Sequence, residues 1–374
     1  MAVYKIFPSK DATIYSQYPS KNTGLDEILE TSTFIIDTLS SYPQTSRFLI
    51  QFDNDEINNI LNTKISSSIW KAYFRGFRAN IEGLNSTTTL EFYPISDSWN
   101  MGTGKYNFNP EMTNGVSWTW KLYSGSGAWT TSGFPANTTG SYSNTLGGGT
   151  WYYSSSNSTV LPIYSTQSFD YFSDGDINVD ITNMVKAWHS GSIVNNGLIA
   201  KQAVEFINND AYQIGMKYFS RDTNTIYPPQ LEFKWRDYTW NTGSSTFTIL
   251  DTQIATISLS ENPGVFYPES VNKFRVNSRP TYPTREFQTS SIYTKNYYLP
   301  TSSFYSIKDL DTNEIVIDFD DQFTQLSADN QSSYFTLYMN GLEPERYYTV
   351  LIKSIIDGST IIFDSKYHFK VVNG

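Results

Sequence analysis

The chain contains no cysteine. Disulfides and thiolate metal sites are therefore excluded, and cysteine usage says nothing about the redox compartment. Histidine is nearly as scarce: His189 and His368 are the only two. Neither has a metal-type partner three or four residues on, and no HExxH string occurs. Charge is sparse too, with 17% Asp, Glu, Lys and Arg and a formal net charge of −10. An acidic, charge-poor chain is a poor partner for nucleic acid or an anionic membrane. No apolar run approaches the ~20 residues of a membrane span. The start, MAVYKIFPSKDATIYS, shows no signal-peptide pattern, so a soluble protein made in a cytoplasm is expected.

Aromatic residues are abundant, at 16% of 374 residues, with 28 Tyr, 24 Phe and 9 Trp. Ser, Thr, Asn and Tyr supply most of the polarity. This composition favours β-structure and can fill a large core, and the length suits two domains. Period-2 alternation bears this out. Phe48, Ile50 and Phe52 share one face of Arg47–Asp53, with Arg47 and Gln51 opposite; Leu90 and Phe92, then Ile315 and Ile317, repeat the pattern. Each run reads as a half-buried antiparallel strand. Asn114-Gly115, Asn340-Gly341 and Asp357-Gly358 read as turns. One helix interrupts: Ile181, Met184, Val185 and Trp188 form a single apolar stripe, with Asp180 or Thr182 to cap its start and Gly191 to close its end. Ser124–Thr159 reads as a long aromatic-bearing insertion. Tyr238–Ser245 reads as a linker. The expected organisation is a β-sandwich over 1–238, a linker over 239–249 and a second β-sandwich over 250–374.

Residues with a claim to chemistry are few. Asp309-Leu310-Asp311-Thr312-Asn313 has the spacing of a calcium loop, but Glu314 stands where that loop needs Gly, so a turn is the better reading. Asp174-Gly175-Asp176 reads likewise. Gly125-Ser126-Gly127 and Gly102-Thr103-Gly104 lack the strand–turn–helix setting of a nucleophile elbow or the helix of a phosphate loop. No pair of carboxylates is singled out for glycoside cleavage. The aromatic set Trp99, Trp118, Trp120, Trp129 and Trp151 is the candidate of most substance. Its three open roles are core packing, a protein interface and a stacking platform for sugar rings. Arg47, Arg221, Arg279, Arg285 and Arg346 read as ties between loops and carboxylates or carbonyls.

Several strings occur in a recognisable order: DATIYS (Asp11–Ser16), Asn22-Thr23-Gly24, SRFLIQFD (Ser46–Asp53), ISDSWNMGTGK (Ile95–Lys105), GVSWTW (Gly115–Trp120), Val179–Gly191 with Gly197-Leu198-Ile199, and FSRDTNTIYPPQLEFKW (Phe219–Trp235). The series resembles the DNRLRE-type β-sandwich, related to carbohydrate-binding modules of secreted polysaccharide-degrading enzymes. The strings in Val271–Tyr293, Tyr297–Asp309 and Phe319–Lys353 resemble the Ig-like C-terminal region of tailed-bacteriophage virion proteins. The resemblance implies an all-β protein: a jelly-roll-like antiparallel sandwich with one short helix, followed by an Ig-like sandwich. It implies a virion structural protein of the neck, collar, tail or capsid surface. Such a protein has no enzymatic activity or cofactor, and its partners are other virion proteins and further copies of itself. A glycan-binding adhesion module facing host polysaccharide is the alternative. Modules of this kind often carry a structural calcium, for which the sequence names no ligand set.

Overall fold

A computed structural model describes residues 2–34, 44–84, 87–123, 127–129, 147–152, 163–205, 214–243, 247–283 and 297–373. The chain is all-β and folds into two compact units. The larger comprises Ile6–Lys64 and Lys71–Glu232; the smaller comprises Met1–Lys5, Ile65–Trp70 and Phe233–Gly374. A linear reading into 1–238 and 250–374 has no place for the first five residues or for 65–70 in the C-terminal unit. Hydrogen bonding and packing put them there. The Arg236 N–H donates to the Ile69 carbonyl, the Asn340 side chain bonds the Lys5 backbone, and the Trp70 ring lies 6.3 Å from Phe233.

The larger unit is built on an antiparallel sheet in the order Arg78–Glu82, Ile214–Phe219, Ile28–Phe34, Gln44–Phe52, Leu198–Gln202, Thr88–Pro94, Ser165–Phe169, with Pro8–Tyr15 also paired to Gln44–Phe52. Facing it, Trp70–Gly76 pairs with Ile177–Asp180. The alternation in Gln44–Phe52 sends Phe48 and Phe52 toward Phe74, each at 6.3 Å between ring centroids. Leu49 points the other way, yet it too is fully buried. It joins Ala12, Ile14, Tyr93, Ile95 and Ile199 beneath a layer of loops that carries four tryptophans. The strand is thus buried on both faces, where alternation alone predicts one wet face; the loop layer takes the place of water.

The expected helix is Thr182–His189, and Ile181, Met184, Val185 and Trp188 are all buried. The N-cap position falls to Ile181, between the two expected caps, and no side chain caps it; the Asp180 carboxylate instead accepts from the N–H and hydroxyl of Thr182, the first helical residue. Gly191, at φ +72°, follows its end. A second helical segment, Asn54–Asn59, follows the strand Gln44–Phe52 and continues as a π-helical turn, Ile60–Lys64. Asp53 caps it by accepting from the N–H groups of Asp55 and Glu56.

The smaller unit is a two-sheet sandwich. Val271–Pro280 is central in one sheet, paired with Ala255–Ser260 on one side and Ser333–Tyr338 on the other. In the second sheet Tyr347–Ile356 lies between Ser303–Asp309 and Ser359–Val371. Phe274 stacks on Phe335 at 5.1 Å, and Phe335 on Tyr305 at 4.2 Å, forming the centre of the core. The Asp357-Gly358 turn has φ +50° and +75°, the backbone that tight antiparallel hairpins require. The residues read as a linker are partly structural. Thr239 and Asn241 exchange backbone hydrogen bonds with Ala328, and Thr248–Ile249 pairs with Tyr297–Tyr298.

Candidate functional site

Asn22 organises the loops over the larger unit's sheet. Its side-chain amide donates to the carbonyls of Met101 and Val116, at 2.7 and 2.8 Å, and its Oδ1 accepts from the N–H groups of Gly24 and Gly104. All four hydrogen-bonding positions of the amide are used. The neighbouring glycines are required by this closeness. A Cβ on Gly104 would sit 2.1 Å from the Asn22 carbonyl oxygen, and one on Gly102 would sit 2.3 Å from Oδ1. The asparagine–glycine turn and the Gly102-Thr103-Gly104 loop are therefore one hydrogen-bonded unit that holds chain against chain.

Arg47 plays a matching part under the loop that carries Gly148. Its guanidinium binds Glu205 through two bonds, 3.0 and 2.6 Å, and donates to the Gly148 carbonyl. The pair is buried, with 6% and 4% of the two side chains exposed. The rings of Trp118 and Trp151 lie 4.9 and 5.3 Å from the guanidinium carbon. Burial of a charge in this setting depends on the partner carboxylate and the donated hydrogen bonds.

Four of the five tryptophans are interior. Trp99, Trp118, Trp129 and Trp151 belong to the buried cluster over Leu49 and Ile199. Trp99 Nε1 donates to the Asn196 carbonyl and Trp129 Nε1 to the Ser117 carbonyl, which fixes both rings as packing elements. A sugar cannot stack on a ring face that is already covered. Trp120 is half-buried, and its ring meets that of exposed Tyr123 edge to face at 6.0 Å. Residues 124–126, 130–146 and 153–159 of the aromatic insertion lie outside the described residues, and with them Gly125 and Ser126 of the Gly125-Ser126-Gly127 string; Arg285 does too.

The closing segment ties back to the opening one. The Arg221 N–H donates to Asp11 Oδ2 at 2.7 Å, its guanidinium donates to the Ser9 carbonyl, and Ser220 Oγ donates to the Asp26 carbonyl. Burial pushes the Asp11 carboxyl up to about 8, against the pull of the Arg221 N–H. Burial lowers the ammonium of adjacent Lys10 to about 8; it donates to the Trp99 carbonyl and sits 4.4 Å over the Trp99 ring.

The calcium-like string is a turn. Asp309 accepts from the N–H groups of Asp311 and Thr312, and its two oxygens bind Arg346 at 2.6 and 2.9 Å. At Asp174-Gly175-Asp176, the Asp174 carboxylate accepts from the Asp176 N–H. The two imidazoles bond to Asn58 and Thr349. Among the described residues no three His, Cys, Asp or Glu side chains converge as metal ligands, and no helix is long and apolar enough to cross a membrane.

Beyond Leu122 and Tyr123 beside Trp120, other exposed apolar side chains lie away from the tryptophans, and residue types alone did not mark them. Phe172 and Tyr171, 91% and 77% exposed, project from one turn of the larger unit. In the smaller unit Val265, Tyr267 and Val271 border a groove of about 370 Å³ that is also lined by Glu261, Pro263, Phe266, Ser270, Asn272 and Lys273. Ile254, Tyr282, Ile315, Tyr347 and Ile362 are exposed on the same unit.

No protein-family model matches the chain, and no curated protein matches it. Among solved structures, a DUF4785-family protein from Legionella pneumophila gives a TM-score of 0.19 at 8% identity, over 98% of this chain and 66% of its own. The β-glucuronidase of Parabacteroides merdae gives 0.16 at 13% identity, over 88% of this chain and 28% of its own. At TM-scores this low neither likeness bears on fold or function.

Proposed function

We propose that this chain is an assembly protein, a structural component of a tailed-phage virion that works by binding neighbouring subunits. The observation that carries the reading is the distribution of apolar surface. The smaller unit has a full apolar core and still presents Ile254, Val265, Tyr267, Val271, Tyr282, Tyr347 and Ile362 to solvent. Exposed apolar side chains that come together, as Val265, Tyr267 and Val271 do at one groove, mark surfaces that bind. The resemblance of the ordered motifs to the sandwich family, and of the C-terminal strings to phage virion proteins, supplies the setting. The larger unit supports the same reading differently. Trp99, Trp118, Trp129, Trp151, Arg47 and Asn22 are consumed in holding loops rather than left free for a ligand. Mass spectrometry of purified virions tests the proposal. The chain should be present at a stoichiometry that follows a particle symmetry, and its absence from intact particles would overturn the reading.

Glycan binding is the second reading, favoured by the half-buried Trp120 beside exposed Leu122 and Tyr123. That patch would bind a host polysaccharide by ring stacking. A glycan array on the wild type and on Trp120→Ala checks it: hits abolished by the substitution support the reading, and an array without hits removes it.

A further inference from the structure

From the junction of the strand Pro8–Tyr15 with the segment Ser220–Thr223 we infer that Asp11 is a carboxylic acid in the folded protein, and that its proton, donated to Asp222 Oδ2, latches the two segments together. The latch holds in acid and gives way as pH rises and the proton leaves to water. The inference goes beyond the assembly reading and does not depend on it. Other bonds bring the partners to one place. The Arg221 N–H donates to Asp11 Oδ2 at 2.7 Å, and the Arg221 guanidinium donates to the Ser9 carbonyl. The Ser220 N–H and hydroxyl donate to the carbonyls of Glu27 and Asp26.

Two carboxyls meet at this junction, and the donors present satisfy only part of them. Asp11 is 1% exposed, and among the described residues its one donor is the Arg221 N–H. Asp222 Oδ2 is buried and has no hydrogen-bond donor among the described residues. The guanidinium of Arg221 is turned to Ser9, and its Nε stays 3.8 Å from Asp222 Oδ2, beyond hydrogen-bond reach. A buried acceptor without a donor is costly, and like charges at one buried place favour keeping a proton. One proton answers both: it removes the charge from Asp11 and gives Asp222 Oδ2 its donor. Burial pushes the Asp11 carboxyl up to about 8, with Arg221 pulling against it and the Asp222 charge adding to it. The other charged groups nearby are engaged elsewhere. On the paired strand Asp11 lies opposite Ile50, and Lys10 opposite Gln51. Lys10 turns to the loop roof, where its ammonium donates to the Trp99 carbonyl. The Asp26 carboxylate accepts from the Tyr106 N–H, and Glu27 binds Lys105.

The test is carbon-13 NMR of the full chain with labelled aspartate carboxyls, joined to hydrogen exchange. The Asp11 carboxyl, assigned through Asp11→Asn, should remain an acid at pH 6 and titrate near 8. Asp222→Asn should lower that midpoint by about one unit or more, because it removes the neighbouring charge. Exchange at the Arg221 N–H reads the latch. With a closed-state value near 8 and an ordinary value of 3.8 once open, its protection should fall by up to about tenfold per pH unit from pH 5 to 7 and level off above about 8. Asp11→Asn puts a fixed amide donor where the proton was, so its protection should stay level over that range. An Asp11 carboxyl already ionised at pH 6, a midpoint unmoved by Asp222→Asn, or a slope of protection in Asp11→Asn equal to that of the wild type would overturn the inference. Both substitutions keep the shape of the carboxyl, and wild-type melting at pH 5 checks their fold. The wild-type spectrum decides the first point without either variant: a carboxyl titrating near 8 stands apart from ordinary aspartates, and a spectrum without one sinks the latch.

Discussion

The two units solve the same problem by different chemistry. In the larger, the sheet is roofed by loops, and the roof is fastened by buried polar groups: Asn22 to four backbone atoms, Arg47 to Glu205 and Gly148, Asp11 to the Arg221 N–H. In the smaller, the centre is a stack of rings, Phe274 on Phe335 on Tyr305, with ion pairs such as Arg275–Asp329 kept toward the surface. A polar fastener is directional and specifies one loop arrangement. It is costly to leave half made. A ring stack is forgiving of direction and sensitive to volume. The unit with loops to place uses the first device, and the unit built as a two-sheet sandwich uses the second.

The largest expected effects break this comparison from either side. Arg47→Met leaves the buried Glu205 carboxylate uncompensated, which costs about 3–5 kcal/mol. Arg47→Met with Glu205→Leu removes both charges and should recover much of that loss. Chemical denaturation, followed by hydrogen exchange in Gln44–Phe52, measures both; a double variant no more stable than the single would mean the fastener is not electrostatic. In the smaller unit Phe335→Ala removes the middle ring of the stack and costs about 3–5 kcal/mol through lost burial and a cavity. Exchange should accelerate in Val271–Pro280 and Ser333–Tyr338, its paired neighbours. A loss under about 1 kcal/mol, typical of a surface site, would show the stack to be incidental.

Much of this architecture was legible beforehand, and the reason is periodicity. The stripe Ile181, Met184, Val185, Trp188 and the alternation Phe48, Ile50, Phe52 are local patterns with direct geometric meaning, and the Asp357-Gly358 turn is a local backbone demand. The short helix at Asn54–Asn59 went unread although its signal was present: Asp53 followed three residues later by Glu56 is a capping pair. The roles of the tryptophans were not legible, because whether a Trp lies in a core or on a surface depends on loops that meet across distant sequence. Trp99 bonds the Asn196 carbonyl 97 residues away. The grouping of Val265, Tyr267 and Val271 at one groove was hidden too, because a turn separates the strand Val265–Phe266 from the strand Val271–Pro280 and no continuous pattern joins them.

Acid should separate the units by sign. Burial raises the Asp11 carboxyl to about 8, so the native larger unit keeps a proton that the unfolded chain releases near its ordinary value of 3.8. Its contribution is fully present below that ordinary value and is lost as pH rises toward 8, with a slope of at most about 1.4 kcal/mol per pH unit for one proton. Asp329 behaves oppositely. Burial pushes it up, but hydrogen bonds from Arg275 and Lys273 win and hold it below the carboxylate range. Its contribution is present above the ordinary value and lost as pH falls. Between pH 7 and 4 the exchange protection of Pro8–Tyr15 should therefore rise, while below pH 4 that of Ser333–Tyr338 should fall. Asp11→Asn should flatten the first trend and Asp329→Asn the second. Parallel trends in both units would show that these two carboxyls do not govern the response.

The smallest effect sharpens the comparison most. Phe172 and Tyr267 belong to different units, and both are exposed. If their exposure serves binding, neither contributes to folding, so Phe172→Ser and Tyr267→Ser should change the unfolding free energy of the isolated chain by no more than about 0.5 kcal/mol. At concentrations where copies associate, both should lower the apparent melting temperature, because anything that binds only the native state stabilises it by mass action. Thermal melts at low and high protein concentration make the measurement. A wild-type midpoint that climbs with concentration, and variant midpoints that do not, would divide the side chains that hold this molecule together from those that hold it to its neighbours. A loss of stability already present at the lowest concentration would place these two rings with Phe335, as parts of the fold.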